Sequence, residues 1–503
     1  MLLRSIATVG GYTLLSRIVG FLRDLFFAAM LGAGPLADAF VVAFRLPNLF
    51  RALSAEGAFS AAFVPIYARL LAGEGRPAAQ RFAEDTLAVI IAVLTLAVLV
   101  GEAAMPWIMR GLAPGFAGDA KQTALVVELG RITFPYLLLI SLTAFQGAVL
   151  NAHRRFAAMA AAPILLNLAL LIVPWALLPF GIGDAHAFAW AVIGGGIAQF
   201  LFLAHVCQRE GIRLVMPRPR LTENVRRLFR RMGPGIVGAG VTQLNLVIGT
   251  VLATLIADGA VSYLYYADRL SQLPLGVVGA AVGTALLPLL AAQLKTEPAA
   301  ALGTHNRAIE AALLLSLPAA VGLAVLAEPI VIVLFERGAF GRSESLATAQ
   351  AVAAYSLGLP AFVLVKALTP GFLAREDTAT PVKLGAIAIL VNLLLNLALM
   401  RPLGHVGIAL GTSIAAWVNV ALLWGTLGRR GQFALDARAR RTLPRLLAAS
   451  LGMGAVVYAA ELALGTGVVA LATEIGVGGL AFATLALLLG AASLADLRRA
   501  LRR

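Results

Sequence analysis

Seven charged residues lie inside the first two long apolar stretches of this chain: Arg17, Arg23, Asp24, Asp38, Arg45, Arg51 and Glu56. About 20 consecutive apolar residues make a helix that spans a bilayer. A charge near the middle of such a helix costs about 2.5–3.5 kcal/mol. The four arginines together therefore cost on the order of 10 kcal/mol before any pairing. A chain of this kind folds only if the charges pair with one another or face a watery cavity. Four arginines against three acids leave a net +1. The implied cavity is cationic, and its cargo is anionic.

The rest of the composition places those stretches in a membrane. Of 503 residues, 60% are hydrophobic and only 13% charged. A soluble domain is about 45–50% apolar and about 25% charged. The net charge of +15 would also fit a nucleic-acid binder, but placement argues against one. The basic residues gather in short loops between apolar runs, which is a topological signature. The first apolar run extends from Arg4 to about Leu31 and is interrupted by Arg17 and Arg23-Asp24. That is too long and too charged for a cleavable signal peptide, whose apolar region is about 7–15 residues. The single cysteine, Cys207, allows no internal disulfide and reads as apolar filler near a helix end.

Fourteen spans are expected, at 5–31, 36–67, 85–109, 122–150, 157–180, 186–207, 233–257, 260–294, 311–335, 345–373, 380–400, 405–428, 443–462 and 470–495. With the N-terminus in the cytoplasm, 28 of the 40 lysines and arginines fall on the cytoplasmic side and 5 on the other. The positive-inside rule then puts both termini in the cytoplasm. A repeat runs at an offset of about 224. Phe44-Arg-Leu-Pro47 matches Asp268-Arg-Leu-Ser271, Pro106 matches Pro329, Pro135 matches Pro360, and Asn167 matches Asn392. An offset of six spans makes the halves parallel repeats. The expected organisation is an N-lobe at 1–207, a cytoplasmic linker at 208–232, a C-lobe at 233–428, and two further helices with a cytoplasmic tail at 429–503. The fold class is therefore an all-α polytopic membrane protein of fourteen transmembrane helices, two six-helix lobes plus two C-terminal helices.

Spacing sorts the charges. Arg17 and Asp24 are seven apart and share one helix face, as do Asp38, Arg45 and Glu56 on the second span. Arg23 points elsewhere unless Gly20 bends the helix. Gly32 and Gly34 form a tight turn that sets the two spans side by side. Arg269, next to Asp268, aligns with Arg45 across the repeat and puts a cation on the other lobe. Two readings stay open: internal ion pairs that hold helices in register, with Asp38 and Glu56 the best candidates, or a cleft in which Arg17, Arg23, Arg51 and Arg269 grip phosphate. Guanidinium groups suit phosphate because they bind it bidentately and keep their charge. Lys366 is either a snorkelling lysine or part of the conformational cycle. Arg131 follows Glu128 by three and reads as an intrahelical pair.

Asn167, Asn392 and Asn396 read as helix-packing hydrogen bonds. With Asn245 they offer amides only, a poor set for a sodium ion, so no metal is expected. Gly276-Val-Val-Gly279 and Gly283 read as close helix packing, since no lysine follows to complete a phosphate loop. The five histidines are scattered and show no metal-ligand spacing. Neither an enzyme nor a cofactor is expected.

The stretch SRIVGFLRDLFFAAMLGAGPLADAFVVAFRLPNLFRALSAEGAFSAAFVP at 16–65 closely resembles the MviN/MurJ family of lipid II flippases. So do TFPYLLLISL at 133–142, YYADRLSQLPLGVVGAAVGTALLP at 265–288 and LTPGFLAREDTATPVK at 368–383. The resemblance covers essentially the whole chain. It implies the MOP superfamily with its MATE-like pair of six-helix lobes, and two C-terminal helices whose groove holds a polyprenyl tail. It also implies translocation of lipid II, the undecaprenyl-pyrophosphate disaccharide-pentapeptide, between the leaflets of the bacterial inner membrane. Family charges of the central cavity map onto Arg17, Arg23, Asp24, Arg51 and Arg269, with Asp38, Arg45, Glu56, Asp268 and Lys366 as supporting charges. Ala52 stands where many relatives carry a second basic residue, and Asn396 where a sodium site would use an acid. The implied partners are lipid II, membrane lipids and peptidoglycan synthases, with the monomer as the working unit. Two other classes remain: another MOP exporter (a polyprenyl-linked oligosaccharide flippase or a drug antiporter), and a non-transporting membrane scaffold.

The charge asymmetry makes a direct prediction. Cysteines introduced at Gly183 and Asp258 should react with membrane-impermeant thiol reagents added outside the cell, and cysteines within 209–231 should not. The reverse pattern would end the fourteen-span reading.

Overall fold

The computed structural model describes residues 2–54, 58–182, 184–212, 215 and 218–491. The regular elements there are helical. They are α1 (Leu2–Leu31), α2 (Pro35–Ser54), α3 (Ala58–Gly73), α4 (Arg76–Leu112), α5 (Ala120–Thr133), α6 (Tyr136–Ala152), α7 (Phe156–Leu177), α8 (Asp184–Arg209) and α9 (Glu223–Thr254). There follow α10 (Ala260–Thr296), α11 (Pro298–Val325), α12 (Ala327–Phe335), α13 (Arg342–Ser356), α14 (Leu359–Leu373), α15 (Ala379–Arg429), α16 (Ala437–Leu464) and α17 (Val468–Leu488). Lipid supplies no hydrogen bonds, so a chain this apolar must satisfy its backbone within each segment, and helices do that.

Among the described residues, nine helical segments are long and apolar enough to cross a membrane. Their outer faces carry bare hydrophobic side chains where a soluble protein would carry charge. Leu96, Trp107, Trp175, Phe180, Val469 and Leu480 are all more than half exposed. The protein is a multi-pass membrane protein. Several long segments are interrupted where the sequence places a breaker. The stretch at 122–150 divides at Phe134-Pro135 into α5 and α6, and 345–373 divides at Gly358 ahead of Pro360 into α13 and α14. These are the prolines that match across the repeat. Within α15 the helix path breaks at Gly404, whose φ of 57° and ψ of −136° no other residue adopts comfortably. The break falls in the gap between the stretches 380–400 and 405–428.

The chain forms two compact units, Met1–Val261 and Ser262–Arg503. In the first, α1 packs on α7 and α8, while α2 packs on α5, α6, α8 and α9. The expected turn is present at Gly32, whose φ is 67°. Near that turn Phe27 and Phe40 meet, 5.2 Å between ring centroids, and both rest on Phe188. Beyond it the two helices take different partners, so they are not the side-by-side pair expected from the sequence. The reason is that the apolar faces of α1 and α2 find larger complementary surfaces on α7 and α5. At the other end of this unit, an aromatic ladder of Phe59, Phe63, Tyr67, Phe82 and Phe145 is covered by Val225, Leu228 and Met232 of α9. Cys207 is buried beside Leu150, Ala162 and Leu203.

In the second unit the core lies between α11, α14, α15 and α16. Polar staples fix the helix ends. Asp377 caps α15 through Thr380 N (2.9 Å), and Arg430 at the far end of α15 bonds both the Asp377 carboxylate (2.7 Å) and the Thr380 hydroxyl (3.1 Å). Hydrogen bonds from Thr380 and Arg430 hold the Asp377 carboxyl well below the usual carboxylate range. Arg375 donates to Gly371 O and Gln432 O. The segment at 368–383 is therefore a clasp between helix ends. Asp436 caps α16 and accepts from Arg307 of α11, which also holds Glu310. Asn392 donates to Thr412 and so links the two arms of α15, while Asn396 donates to Asn392 (3.1 Å) within the first arm. Gly276 to Gly283 lies inside the continuous helix α10, where no loop exists to cradle a phosphate.

One contact in the first unit leaves no space for a side chain. The amide of Gly115 donates to Thr254 Oγ1 at 3.3 Å, and a Cβ on Gly115 would lie 1.7 Å from the Thr254 carbonyl oxygen. Gly115→Ala should force the end of α9 off this turn and cost about 1–3 kcal/mol. The loss should be visible as a lowered unfolding temperature of the purified protein in detergent. Gly118→Ala, in the same turn with open space around it, should melt like the wild type. Equal melting of the two variants would show that the turn is not seated on α9.

Candidate functional site

The charged cluster begins on α1. Arg23 is anchored by three hydrogen bonds to two partners. Its Nε and Nη2 donate to Asp24 Oδ1 at 3.1 and 2.6 Å, and its Nη1 donates to Asn167 Oδ1 at 2.9 Å. The side chains of Arg23 and Asp24 are only 17% and 5% exposed. Adjacent residues point in different directions on a helix, but an arginine is long enough to fold back onto its neighbour's carboxylate. Arg17 shares a face with Asp24 yet stands about 10.5 Å away along the axis, two turns, which is beyond direct pairing. Arg17 is exposed.

Asn167 of α7 is the residue that makes this anchor possible. Its Nδ2 donates to Ser16 O at 3.1 Å while its Oδ1 faces Arg23. Gly20 admits it: a Cβ at Gly20 would lie 3.2 Å from Asn167 Nδ2. The expected packing asparagine is therefore also a positioning residue for the arginine. Its one visible signal in the sequence was the match to Asn392 across the repeat.

On α2 the charges separate into two kinds. Asp38 is completely buried and its Oδ2 accepts from Gly259 N at 2.7 Å, which ties the start of α2 to the loop after α9. Arg45 donates through Nε to Thr250 Oγ1 of α9 at 3.1 Å, and Arg51 through Nε to Asn48 Oδ1 at 3.2 Å. Glu56 lies outside the described residues. Tyr136, at the start of α6, is fully buried and donates to Gln199 Oε1 at 3.3 Å. The positive fields of Arg51 and Arg23 both reach it. Arg23 of α1 and Arg51 of α2 thus both act on one tyrosine of the TFPYLLLISL segment.

In the second unit the guanidinium of Arg269 lies 4.8 Å above the centre of the Tyr265 ring, one turn earlier on α10. This cation–π contact orients the group while leaving its donor edges directed sideways. Asp268 accepts from Gln272 Nε2 at 2.5 Å. Lys366 is exposed on α14. The intrahelical pair expected for Arg131 does not form: Glu128 Oε2 instead lies 3.3 Å from His186 Nε2 of α8, and Arg131 is exposed. The cross-helix imidazole lies closer to the carboxylate than its neighbour along α5. Among the described residues, no three His, Cys, Asp or Glu side chains are grouped to hold a metal ion.

What such an arrangement can do is hold phosphate oxygens within a bilayer, where water cannot. Comparison with known proteins identifies the setting. Residues 27–478 match the family model described as lipid II flippase MurJ. A probable lipid II flippase MurJ of Rhizobium tropici is 45% identical over 463 residues, covering 91% of this chain and 87% of that protein. The lipid II flippase MurJ of Burkholderia cenocepacia is 36% identical over 467 residues, covering 91% and 90%. Among solved structures, a lipid II flippase MurJ in an inward closed conformation superposes with a TM-score of 0.82 at 25% identity, covering 98% of this chain and 99% of that one. An inward-facing MATE-family multidrug transporter of the MOP superfamily reaches 0.70 at 15% identity, covering 83% and 95%, and shares the fold. An all-helical chain with arginines embedded in its first two apolar helices, matched to one family over nearly its full length, belongs to the MurJ family of lipid II flippases.

Proposed function

We propose that this chain carries lipid II from the inner to the outer leaflet of the bacterial cytoplasmic membrane, acting as a transporter and catalysing no bond chemistry. The observation that carries the reading is the anchored guanidinium set of α1 and α2, at a place where charge is costly unless it serves a ligand. A pyrophosphate cannot cross hydrocarbon unaided, and fixed guanidinium donors replace its hydration. In this reading Arg17, Arg23, Arg51 and Arg269 are the phosphate donors, Asp24 aligns Arg23, and Arg45, Asp268 and Lys366 tune the potential. Asp38 holds the fold through Gly259. Glu56 is retained as a supporting cavity charge on the sequence alone. The head group passes by alternating access, using a cationic central cavity, while the polyprenyl tail stays in lipid.

The finer assignments belong to the same proposal. They are fourteen spans, both termini in the cytoplasm, lobes at 1–207 and 233–428 joined by 208–232, a C-terminal pair at 429–503, a working monomer, and contact with peptidoglycan synthases. A drug antiporter for cationic compounds would need an acidic cavity, and the first two helices carry more arginine than acid.

The test is outer-leaflet accessibility of lipid II in cells depleted of their own flippase and carrying each variant at matched protein level. Arg23→Ala, Arg51→Ala and Arg269→Ala should each lower flipping roughly ten- to hundredfold, the effect of losing a charged hydrogen bond of about 1.5–3 kcal/mol. Arg131→Ala should flip like the wild type. Four variants of equal activity would remove the support for this site. Arg269→Lys separates charge from geometry: it keeps the cation but loses the planar fork and its stacking on Tyr265. It should flip poorly, and full activity would reduce Arg269 to a source of positive potential.

A further inference from the structure

Helix α17 carries one titratable residue, Glu474, and it is completely buried. Neither of its carboxyl oxygens has a hydrogen-bond partner among the described residues. The other deeply placed acids are treated differently. Asp24 has Arg23, Asp38 has the Gly259 amide, and Glu310 has Arg307. An ionised carboxylate buried in a membrane helix with no donor is one of the least favourable groups a protein can hold.

The packing register shows what surrounds it. The buried residues of α17 are Leu471, Glu474, Gly478 and Ala486, and the helix packs on α16, α12 and α11. Gly478 lets α16 approach so closely that a Cβ there would lie 2.8 Å from Val457 Cγ2. The two helices are joined by a short turn and run antiparallel. One turn from that contact therefore brings Glu461 of α16 beside Glu474. Glu461 lies in the electrostatic reach of both Glu474 and Glu328 of α12. Glu328 is 44% exposed and bonded to Arg342, which also approaches Glu336. The half of α11 that follows Glu310 has no titratable residue. Of these acids Glu474 is the buried one and Glu328 the more exposed one. A metal ion is a poor occupant, because it needs several oxygens around it, and among the described residues no metal-holding group of side chains exists.

We propose that Glu474 is a proton-binding site in the C-terminal helix pair, held as the neutral acid and exchanging its proton with water through Glu461 and Glu328. Binding one proton converts the carboxylate to the acid and removes the charge from the helix interface. Releasing it returns the proton to water at the Arg342 end and leaves a charge that needs hydration. Close packing of Gly478 on Val457 then has to open. The site uses none of the residues of the guanidinium cluster and stands without the transport reading.

Linkage gives the sign of the effect. A carboxyl that holds its proton more tightly in the folded state than in the unfolded state stabilises the fold at low pH, and that contribution is lost as pH rises. Infrared spectra of the full-length protein in lipid nanodiscs at about pH 7 should contain a protonated carboxyl band that is missing in Glu474→Gln and present in Glu461→Gln. The wild type should also lose unfolding temperature as the pH rises more steeply than Glu474→Gln. An acid band unchanged in Glu474→Gln, or equal slopes, overturns the proposal. Should the glutamine variant fail to fold, the wild type alone decides. A lipid-soluble carbodiimide, which attacks protonated carboxyls in apolar surroundings, should modify Glu474 at neutral pH and progressively less as pH rises. Modification of other acids with Glu474 left intact overturns the proposal as well.

Discussion

A guanidinium group within an apolar helix has to find acceptors before the helix can settle in a bilayer, and in this protein that requirement shapes the first unit. Arg23 donates two bonds to the neighbouring Asp24 and a third to Asn167 on another helix. The third bond carries the structural weight. It requires α7 to lie against α1, which in turn requires Gly20 to have no side chain and Ser16 to offer its carbonyl to the same amide. One charge thus selects the helix pair, the height at which the helices meet and the rotation of each. Arg45 does the same between α2 and α9 through Thr250. The neutral partners matter, because an amide or hydroxyl satisfies donors without removing the positive charge. Such a group stays competent to exchange a neutral acceptor for a phosphate oxygen.

The helix ends follow the same logic with full ion pairs. Asp377 with Arg430, and Asp436 with Arg307, sit where water competes, and each acid also caps a helix. Exposed pairs alone contribute little, but a carboxylate that satisfies a free backbone amide as well has a second function. These clasps fix where α15 and α16 begin. The apolar middle of each helix is then left to pack by shape, with glycines such as Gly478 and Gly454 set against valines.

Much of this was legible in the residues. Pro135 and Pro360 were visible as a match across the repeat, though the stretches 122–150 and 345–373 read as unbroken spans; both are interrupted there, because a proline cannot supply the amide that continuing the helix demands. The stretch between 400 and 405 reads as a turn and contains the Gly404 break. What stayed hidden depended on partners distant in sequence. Nothing within α1 says that Arg23 folds back on Asp24, since spacing rules describe faces and not the reach of a flexible side chain. Nothing in the turn Gly32–Gly34 says that α1 and α2 will choose different neighbours. Glu128 has Arg131 three residues away, yet His186 lies against it from α8. Asn167 looked like ordinary packing, and its second task emerges only when α1 and α7 are placed together. Tyr136 was part of a recognisable segment, but its position under the fields of Arg51 and Arg23 is a property of the assembled helices.

Helix α9 has a consequence for how the protein is made. It follows the long basic loop in sequence, yet it closes the aromatic ladder of the first unit and receives bonds from Arg45 and Gly115. A ribosome delivers the chain in one direction, so α1 to α8 enter the membrane before the helix that completes their packing exists. During that interval Phe63, Phe82 and Phe145 have no cover from Val225 and Leu228, and the nascent bundle presents an open seam to lipid or to insertion factors. Closure comes only when translation has passed Thr254. The first unit is therefore finished by its own last helix, which is synthesised only after the long basic loop that follows α8.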